Sequence, residues 1–219
     1  MSATALACDF DGAALPGAPR VLALAVPAGQ SPEATRRHAR QLARAVLADA
    51  LGAWLGCDAR AIAISDVRGQ APRATLVTAA PQTAWADRLA ATGLSISHAP
   101  GLTLAAWRPA GAVGVDVQAL HEAPMDAEEA QRVAALYLGP NSVPNHPRVV
   151  EKQARTAIDI AAFTAAWAAH EARLKCLDEP LQEWSPALQA RLAACQVRPL
   201  IIPAAAGGGR RWQAAVAWA

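Results

Sequence analysis

A carboxylate and an ammonium group stand one helical turn apart late in the chain, at Glu171 and Lys175. The alanine-rich segment around them predicts a helix on which Phe163, Trp167, Glu171 and Lys175 recur every four residues. Because such a row drifts by about 40° per step on a helix, Glu171 is expected at the edge of the apolar face. The two charges form either a surface ion pair, worth about 0.3–0.5 kcal/mol, or a carboxylate held against a sheet beside a cation. The second arrangement suits a divalent metal ion that carries phosphates.

A second carboxylate, Asp116, lies in the sequence VGVDVQ at 113–118, which predicts a β-strand. Side chains alternate along a strand, so the three valines are predicted on one face and Gly114, Asp116 and Gln118 on the other. The glycine is expected to leave open space beside Asp116. A sheet with one solvated face gives the same alternation, and this segment alone leaves both interpretations open.

A histidine ends the first strand of a predicted hairpin, whose strands at 94–98 and 103–108 flank a turn. His98 is predicted on the same face as Ile96, while Ser97 points to the opposite face. Functional groups often collect where strands end, although a single histidine is more often a structural hydrogen-bonding residue.

Arginine carries almost all the positive charge of this chain, because only two of its 20 basic residues are lysines. In an anion site, the positive charge and the hydrogen-bond donors must therefore come mainly from arginine, helix N-termini or backbone N–H groups. The helix predicted at 31–56 bears one stripe of Arg36, Arg40 and Arg44. Taken alone, such a stripe is best explained as a solvated basic face.

The predicted elements divide into two halves of similar design, split near residues 108–111. Strands surround one long helix in each half, which predicts an α+β fold of two similar lobes related by a pseudo-twofold axis. Each lobe is expected to be a mainly antiparallel sheet with a long helix. The N-terminal lobe is predicted at 1–110, and the C-terminal lobe, which carries Asp116 and Glu171, at 111–219. The last two strands, CQVRPLIIP and RWQAAVAW, are predicted to pair.

Composition argues against several classes of protein. A formal net charge of +2 in 219 residues is too small to indicate a nucleic-acid-binding protein. The sequence contains neither an uncharged apolar stretch of about 18 residues nor the pattern of a signal peptide, so no membrane span is expected. The four cysteines lack metal-ligand spacing, and free thiols in a reducing compartment are expected. These features together predict a cytoplasmic location.

Three segments resemble, in this order, the motifs of the 4′-phosphopantetheinyl transferase superfamily in its surfactin-type two-lobed branch. They are ISHAPG at 96–101, VGVDVQ at 113–118 and FTAAWAAHEARLK at 163–175. The last motif is the most specific, because its Phe, Trp, Glu and Lys all keep their places. Weaker similarity in GQAPRATL at 69–76 and in the last strand extends the resemblance from about residue 35 to the end of the chain. The resemblance implies the fold of that superfamily.

The resemblance also implies a reaction. The phosphopantetheine arm of coenzyme A would be attached to a serine of an apo acyl or peptidyl carrier protein, with release of adenosine 3′,5′-bisphosphate. Asp116 and Glu171 would be ligands of Mg²⁺, and Glu171 or a metal-bound water would help to take the serine proton. The family has a second acid where this chain has Gln118, whose amide oxygen can still coordinate a metal or hold a ligand water. Weaker Mg²⁺ binding is therefore expected, and Glu122 is a candidate to compensate.

Phosphate contacts are implied in the same way. Lys175 and His98 would hold the phosphates, Arg40 is the candidate for the 3′-phosphate, and Ser97 would lie beside His98. The implied partners are coenzyme A and a carrier protein, whose anionic helix would meet surface arginines. Neither nucleic acid nor a membrane is an expected partner.

Two further departures from the family remove charge. His170 replaces the lysine before the motif glutamate and is cationic only part of the time near neutral pH. Ala71 stands at the position of a loop lysine, so Arg68 or Arg73 would have to supply that contact. The stretch before the last motif is long, which predicts an inserted or extended loop at 139–156. The alternative function is therefore that of a catalytically weak or inactive relative that binds coenzyme A or a carrier protein.

Overall fold

The computed structural model describes residues 5–10, 17–26, 31–67, 69–77, 83–120, 126–140, 145–146 and 157–219. Within these ranges the strands are β1 (Ala5–Ala7), β2 (Asp9–Phe10), β3 (Arg20–Ala25), β4 (Ile62–Ile64), β5 (Ala74–Leu76), β6 (Gly93–Ala99), β7 (Leu102–Arg108), β8 (Val113–Ala119), β9 (Asn145–His146), β10 (Ala157–Ile158), β11 (Gln196–Ile201) and β12 (Trp212–Trp218). The α-helices are α1 (Pro32–Leu55), α2 (Thr83–Ala91), α3 (Ala127–Val133), α4 (Ile160–Cys176), α5 (Pro186–Leu192) and α6 (Ala204–Gly207).

The long first helix begins and ends where the sequence predicts. Ser31 caps it by accepting a hydrogen bond from the backbone N–H of Ala34 at 3.1 Å, and Pro32 lies in its first turn. Gly56 ends it in a left-handed conformation with a φ of 73°, which glycine adopts readily because it has no Cβ. The buried leucines of α1 pack against a sheet.

The N-terminal sheet has the strand order β1–β3–β7–β6, and its neighbouring strands are all antiparallel. Its side chains alternate between two faces. Ala105 and Trp107 pack against α1, whereas Leu104 and Ala106 face the opposite side. The predicted hairpin is confirmed, because β6 and β7 pair in register from Gly93 to Ala99.

The C-terminal sheet has the strand order β2–β11–β12–β8 and is also antiparallel throughout. Helix α4 covers one of its faces, where Ala215 and Ala217 of β12 pack with Ala168 and Ala172 of the helix. Small side chains on both partners bring the helix close to the sheet. The predicted pairing of the last two strands is confirmed.

The remaining faces of the two sheets pack against each other and share a core. Val115, Val117 and Val216 of the C-terminal sheet meet Leu102 and Leu104 of the other sheet there, and all five are at most 1% exposed. The layers therefore follow the order helix, sheet, sheet, helix. The structure has the α+β architecture with antiparallel sheets that the sequence predicts, and the valines of β8 share one face, as expected.

The two halves of the chain repeat one connectivity. The first half joins β3, α1 and the hairpin in the spatial order β3–β7–β6, and the second joins β8, α4 and the last two strands in the order β8–β12–β11. The N-terminal segment departs from this division, because β2 pairs with β11. A strand that precedes residue 110 thus completes the sheet of the second half.

Two expectations about environment concern the described residues. All four cysteines lie in the described ranges and are free thiols. In the same ranges, no helix combines the length and the apolar character needed to cross a membrane. The loop predicted at 139–156 lies largely outside the described residues. In that range the structure describes the two residues that follow the turn of π-helix at Ala134–Leu138 and the short strand β9, which pairs with β10.

Candidate functional site

The two sheets meet at their edge strands β6 and β8, which run side by side in the same direction. Side-chain hydroxyls of β6 act as acceptors at this seam. Ser95 Oγ accepts a hydrogen bond from the N–H of Val115 at 3.0 Å, and Ser97 Oγ accepts one from the N–H of Val117 at 3.3 Å. An isolated parallel backbone bridge lies where the two strands begin. The seam therefore fixes β8, and Asp116 within it, against the strand that carries His98.

Glycine at position 114 allows α4 to pack directly on β8. A Cβ atom at this position would lie 2.0 Å from the carbonyl oxygen of Ala172 and 2.4 Å from the backbone nitrogen of Cys176. The expectation of open space beside Asp116 is wrong, because the backbone of α4 fills that space. As a consequence, the last turns of α4 lie against Asp116.

The carboxylate of Asp116 is buried between β6 and α4 and receives three hydrogen bonds. Its Oδ1 accepts from Lys175 Nζ at 2.6 Å and from Ser97 Oγ at 2.8 Å. Its Oδ2 accepts from Gln118 Nε2 at 2.8 Å. The Asp116 side chain is only 3% exposed. Such a buried charge is stable only with partners of this kind, and the ion pair with Lys175 is the strongest of them.

Glu171 adds a second carboxylate to the same ammonium group. Its Oε2 lies 3.7 Å from Lys175 Nζ, and its side chain is 26% exposed. Burial, followed by the charge of Asp116, raises the pKa of Glu171, while Lys175 and a hydrogen bond with Trp167 act in the opposite direction. The i,i+4 pair of Glu171 and Lys175 thus exists, but it belongs to a three-charge cluster rather than to an isolated surface pair.

Aromatic packing fixes the first half of α4, as the sequence predicts. The rings of Phe163 and Trp167 lie 6.0 Å apart, and Tyr137 meets Trp167 edge to face at 5.7 Å. This cluster holds α4 against α3 and the turn of π-helix that follows it. The packing of these aromatic rings therefore fixes the position of Glu171, which lies one turn after Trp167.

His170 lies beside this cluster and does not add charge to the site. It is buried, and its Nε2 has no hydrogen-bond partner among the described residues. Burial, and to a smaller extent the charge of Arg173, lowers the pKa of His170, so that the imidazole is neutral near pH 7.

His98 lies at the end of the seam in a basic environment. Its Nδ1 is 2.9 Å from the hydroxyl of Thr103, across the hairpin. Burial, then the charges of Arg40, Lys175 and Arg44, lowers the pKa of His98 to about 4. The imidazole is neutral near pH 7, and the charges of three cations act on it.

The predicted arginine stripe of α1 divides in the structure. Arg44 donates to the backbone carbonyl of Ser65 at 3.1 Å and pairs with Asp66. Arg40 is exposed and is the strongest of the cations that act on His98. Arg44 is therefore held by contacts within the protein, whereas Arg36 and Arg40 remain exposed, as a solvated basic face would be.

Two cavities flank this seam. The first has a volume of about 490 Å³, and Ala71, Arg73, Val113 and Lys175 are among its lining residues. The second has a volume of about 670 Å³ and lies between the start of α1 and the hairpin turn, with His98 in its wall. Arg73, one of the two arginines that the resemblance suggests as a replacement for a loop lysine, thus lies in the same cavity wall as Lys175.

The structure brings together most of the residues that the sequence predicts. Asp116, Gln118, Ser97, Glu171 and Lys175 form one cluster across β6, β8 and α4. Within the described residues no group of three or more His, Cys, Asp and Glu side chains is placed to hold a metal ion. The predicted contributions of Glu122 and Arg68 fall outside the described residues.

Sequence reasoning missed three groups around the site. The hydroxyl of Ser95 joins the two strands of the seam, and the hydroxyl of Thr103 contacts His98. The carbonyl oxygen of Val115 accepts from Lys175 Nζ at 3.3 Å. A signal for Ser95 exists in the sequence, because it stands two residues before Ser97 and so shares its strand face. The carbonyl of Val115 has no such signal, because every residue has a carbonyl and only the packing of α4 selects this one.

No protein-family model matches the sequence, and no curated protein matches it either. What the cluster does is therefore inferred from its geometry and from the resemblance of its motifs.

Proposed function

We propose that this protein transfers the 4′-phosphopantetheine arm of coenzyme A to a serine of an apo acyl or peptidyl carrier protein. The observation that carries the proposal is the meeting of Asp116 with Glu171 and Lys175. Asp116 comes from a strand, and Glu171 and Lys175 come from a helix far from it in sequence. Lys175 also lines a cavity of about 490 Å³, whose wall includes Arg73. Phosphoryl transfer needs aligned groups and charge more than covalent assistance, and this cluster supplies two carboxylates and one ammonium group.

We further propose that the fold is that of the two-lobed 4′-phosphopantetheinyl transferases, with lobes at 1–110 and 111–219. The repeated order of strand, long helix and strand pair supports this assignment. So does the position of the charged cluster, which lies where the two sheets meet rather than within either sheet. The pairing of β2 with β11 would then be an exchange between the lobes.

The donor groups fit Mg²⁺ that arrives with phosphates. Mg²⁺ prefers oxygen ligands and is often held by one or two carboxylates together with substrate phosphates and water. Asp116 and Glu171 are the residues that would hold it, provided that Lys175 Nζ, which lies 2.6 Å from Asp116 Oδ1 and 3.7 Å from Glu171 Oε2, moves from between them. Gln118 would join through its amide oxygen only if its Nε2 left Asp116 Oδ2, where it lies 2.8 Å away. When bound, the ion supplies positive charge to the pyrophosphate and its leaving group.

Glu171 is proposed to accept a proton from the carrier serine. Its raised pKa brings the basicity of the carboxylate closer to neutral pH, which favours a general base. As the serine oxygen forms a bond to the phosphorus of the phosphopantetheine phosphate, the bond from that phosphorus to the bridging oxygen breaks. Adenosine 3′,5′-bisphosphate leaves with the bridging oxygen, and the serine proton moves to Glu171 and then to solvent. Lys175, already between the two carboxylates, balances the phosphate charge.

His98 and Arg40 are proposed to bind phosphate at the end of the seam. A dianionic phosphate would favour the imidazolium form of His98, whose pKa of about 4 in the described environment reflects burial and neighbouring cations. Binding of the ligand should therefore be accompanied by proton uptake. Surface arginines are proposed to meet the acidic face of a carrier protein in the cytoplasm.

One observation favours the alternative function, a weak or inactive relative that binds coenzyme A or a carrier protein. Both oxygens of Asp116 accept hydrogen bonds from nitrogen donors of the protein itself, Lys175 and Gln118. A carboxylate that is satisfied internally gains less from a metal ion than a free one does.

Mass spectrometry separates the two functions. The protein is incubated with coenzyme A, Mg²⁺ and each of several apo carrier proteins from fatty-acid, polyketide and peptide synthesis, and each carrier is weighed intact. Addition of one phosphopantetheine group supports the transferase. Binding of coenzyme A or of a carrier protein by calorimetry, without any addition to a carrier, supports the alternative. The absence of transfer and of both kinds of binding removes the two proposals together.

A further inference from the structure

Ser97 occupies an unusual position in the seam, because its hydroxyl uses all of its hydrogen-bonding capacity inside the protein. It donates its one proton to Asp116 Oδ1 at 2.8 Å. It accepts from the N–H of Val117 at 3.3 Å and from Lys175 Nζ at 3.3 Å. A hydroxyl has one proton and two lone pairs, so none is left for a ligand.

The neighbouring serine on the same face provides a comparison within the molecule. Ser95 is buried to the same extent as Ser97, each being 5% exposed, and it also accepts a hydrogen bond from β8, from the N–H of Val115. The two serines therefore contribute in the same way to joining the two sheets. Only Ser97 also contacts the charged cluster.

We infer that Ser97 is a positioning residue that orients the Asp116 carboxylate and the Lys175 ammonium for the proposed transfer, rather than a residue that binds coenzyme A. This inference rests on the proposed function. Its hydroxyl ties both charged groups to the backbone of β8, so that carboxylate, ammonium and strand keep one arrangement. A group held in this way loses little freedom when the reaction begins, which is how residues behind reacting groups commonly raise rates.

The inference predicts different effects for two equivalent truncations. Both Ser97→Ala and Ser95→Ala leave a buried N–H of β8 without its acceptor, so both should lower the unfolding midpoint. Ser97→Ala should lower it further, because the buried carboxylate of Asp116 also loses a donor. Ser97→Ala should in addition lower kcat by about 10–100-fold, with KM for coenzyme A changed by less than about threefold. Ser95→Ala should keep kcat within about threefold of wild type.

Conservative variants give a second test that tolerates a failure of the alanine variant to fold. Ser97→Thr keeps the hydroxyl and adds a methyl group, and Ser95→Thr carries the same added volume as its control. The kcat of Ser95→Thr measures the effect of the added methyl group alone. Corrected for that effect, the kcat of Ser97→Thr should remain close to the wild-type value. A loss in Ser97→Thr as large as about 10–100-fold, with Ser95→Thr active, overturns the inference.

A third measurement does not depend on catalysis. If Ser97 and Asp116 act as a unit, the unfolding midpoint of the double variant S97A/D116N should fall by less than the sum of the two single losses. The double variant S95A/D116N should lose the full sum. Equal kcat in Ser97→Ala and Ser95→Ala, or additive losses in both double variants, would show that Ser97 only joins the sheets. If the wild-type protein transfers nothing, the proposed function fails, and the double variants still decide whether Ser97 positions Asp116.

Discussion

The ammonium group of Lys175 lies 2.6 Å from Oδ1 of Asp116, at a point where helix α4 rests on strand β8. The Asp116 side chain is 3% exposed and that of Lys175 is 34% exposed, so this is an ion pair with one buried member. Glu171 lies on the other side of the same ammonium group at 3.7 Å. One cation thus stands between two carboxylates, and each of the following predictions changes one part of this arrangement.

Lys175→Met should lower the free energy of unfolding by about 1–3 kcal/mol, because it leaves the charge of Asp116 with fewer partners in a buried site. Adding Asp116→Asn to this variant should restore part of that loss, since the uncompensated charge is then removed. Chemical denaturation measures both. Arg191→Met is the control: Arg191 pairs with Glu179 at 3.0 Å with its side chain 47% exposed, and its loss should cost about 0–1 kcal/mol. Equal losses at the two sites would contradict the prediction.

Glu171→Gln should abolish most of the transfer while keeping the fold. Loss of the proton acceptor should lower kcat by about 100–10,000-fold. Because burial and Asp116 raise the pKa of Glu171, its charged form is disfavoured in the folded protein, and the neutral amide should leave the melting temperature unchanged or raise it by about 1–3 °C. Carrier modification and thermal unfolding are the measurements. Glu183→Gln, at an exposed position after the same helix, should keep wild-type kcat. Full activity of Glu171→Gln would remove Glu171 from the site.

Gln118→Glu should strengthen binding of Mg²⁺. The substitution replaces the amide that donates to Asp116 Oδ2 at 2.8 Å with a third carboxylate, which attracts a divalent ion and repels Asp116. We expect a lower melting temperature without metal and a larger increase on adding Mg²⁺ than in the wild type. Gln213→Glu places the same charge opposite Gln118 on the neighbouring strand and controls for net charge. An unchanged response to Mg²⁺ would mean that position 118 is not near the ion.

Gly114→Ala should be among the most disruptive single substitutions in the chain. Its Cβ would meet the backbone of α4 at 2.0 Å and 2.4 Å, and backbone atoms cannot move aside without shifting the helix. We expect a loss of about 3–5 kcal/mol in unfolding free energy, together with loss of transfer. Gly56→Ala is the matched control: its Cβ meets no atom within 4 Å, and only the left-handed backbone, with a φ of 73°, opposes it. Its cost should be about 1 kcal/mol.

Two histidines, the buried His170 and the half-buried His98, should make the protein less stable in mild acid. Burial, followed for His98 by Arg40, Lys175 and Arg44, lowers the pKa of His98 from 6.5 to about 4, and burial also lowers that of His170. Between pH 6.5 and about pH 4 the unfolded chain binds more protons than the folded one. The contribution of the neutral His98 to the free energy of unfolding is therefore fully present above about pH 6.5 and is lost as the pH falls toward 4.

The loss should reach up to about 3 kcal/mol for His98, and His98→Gln should flatten the pH dependence of the unfolding midpoint. His38→Gln, on the exposed side of α1, should leave the dependence as it is in the wild type. A pH profile that is the same in all three proteins would contradict the lowered pKa of His98.

Much of the local structure could be predicted from the sequence, because the signals are local. Ser31, Pro32 and Gly56 mark both ends of α1, and strict alternation in 113–118 shows which side of β8 faces the core. The sequence does not predict the helices α2 and α5. The first lies in a segment of mixed polarity, and the second has only seven residues, so neither shows a long apolar period.

The sequence by itself determined the types and the local faces of the site residues: Asp116 on a strand, Glu171 and Lys175 one turn apart on a helix, and His98 at a strand end. Only the tertiary structure decided their partners. From the sequence, the missing side chain of Gly114 suggests open space beside Asp116, but the backbone of α4 fills that space in the structure. Lys175 could equally face solvent, and the contact of α4 with β8 brings it onto Asp116. The physical reason is range: helix and strand periods extend over a few residues, whereas the burial of the Asp116 charge depends on three elements from distant parts of the chain that meet at one seam.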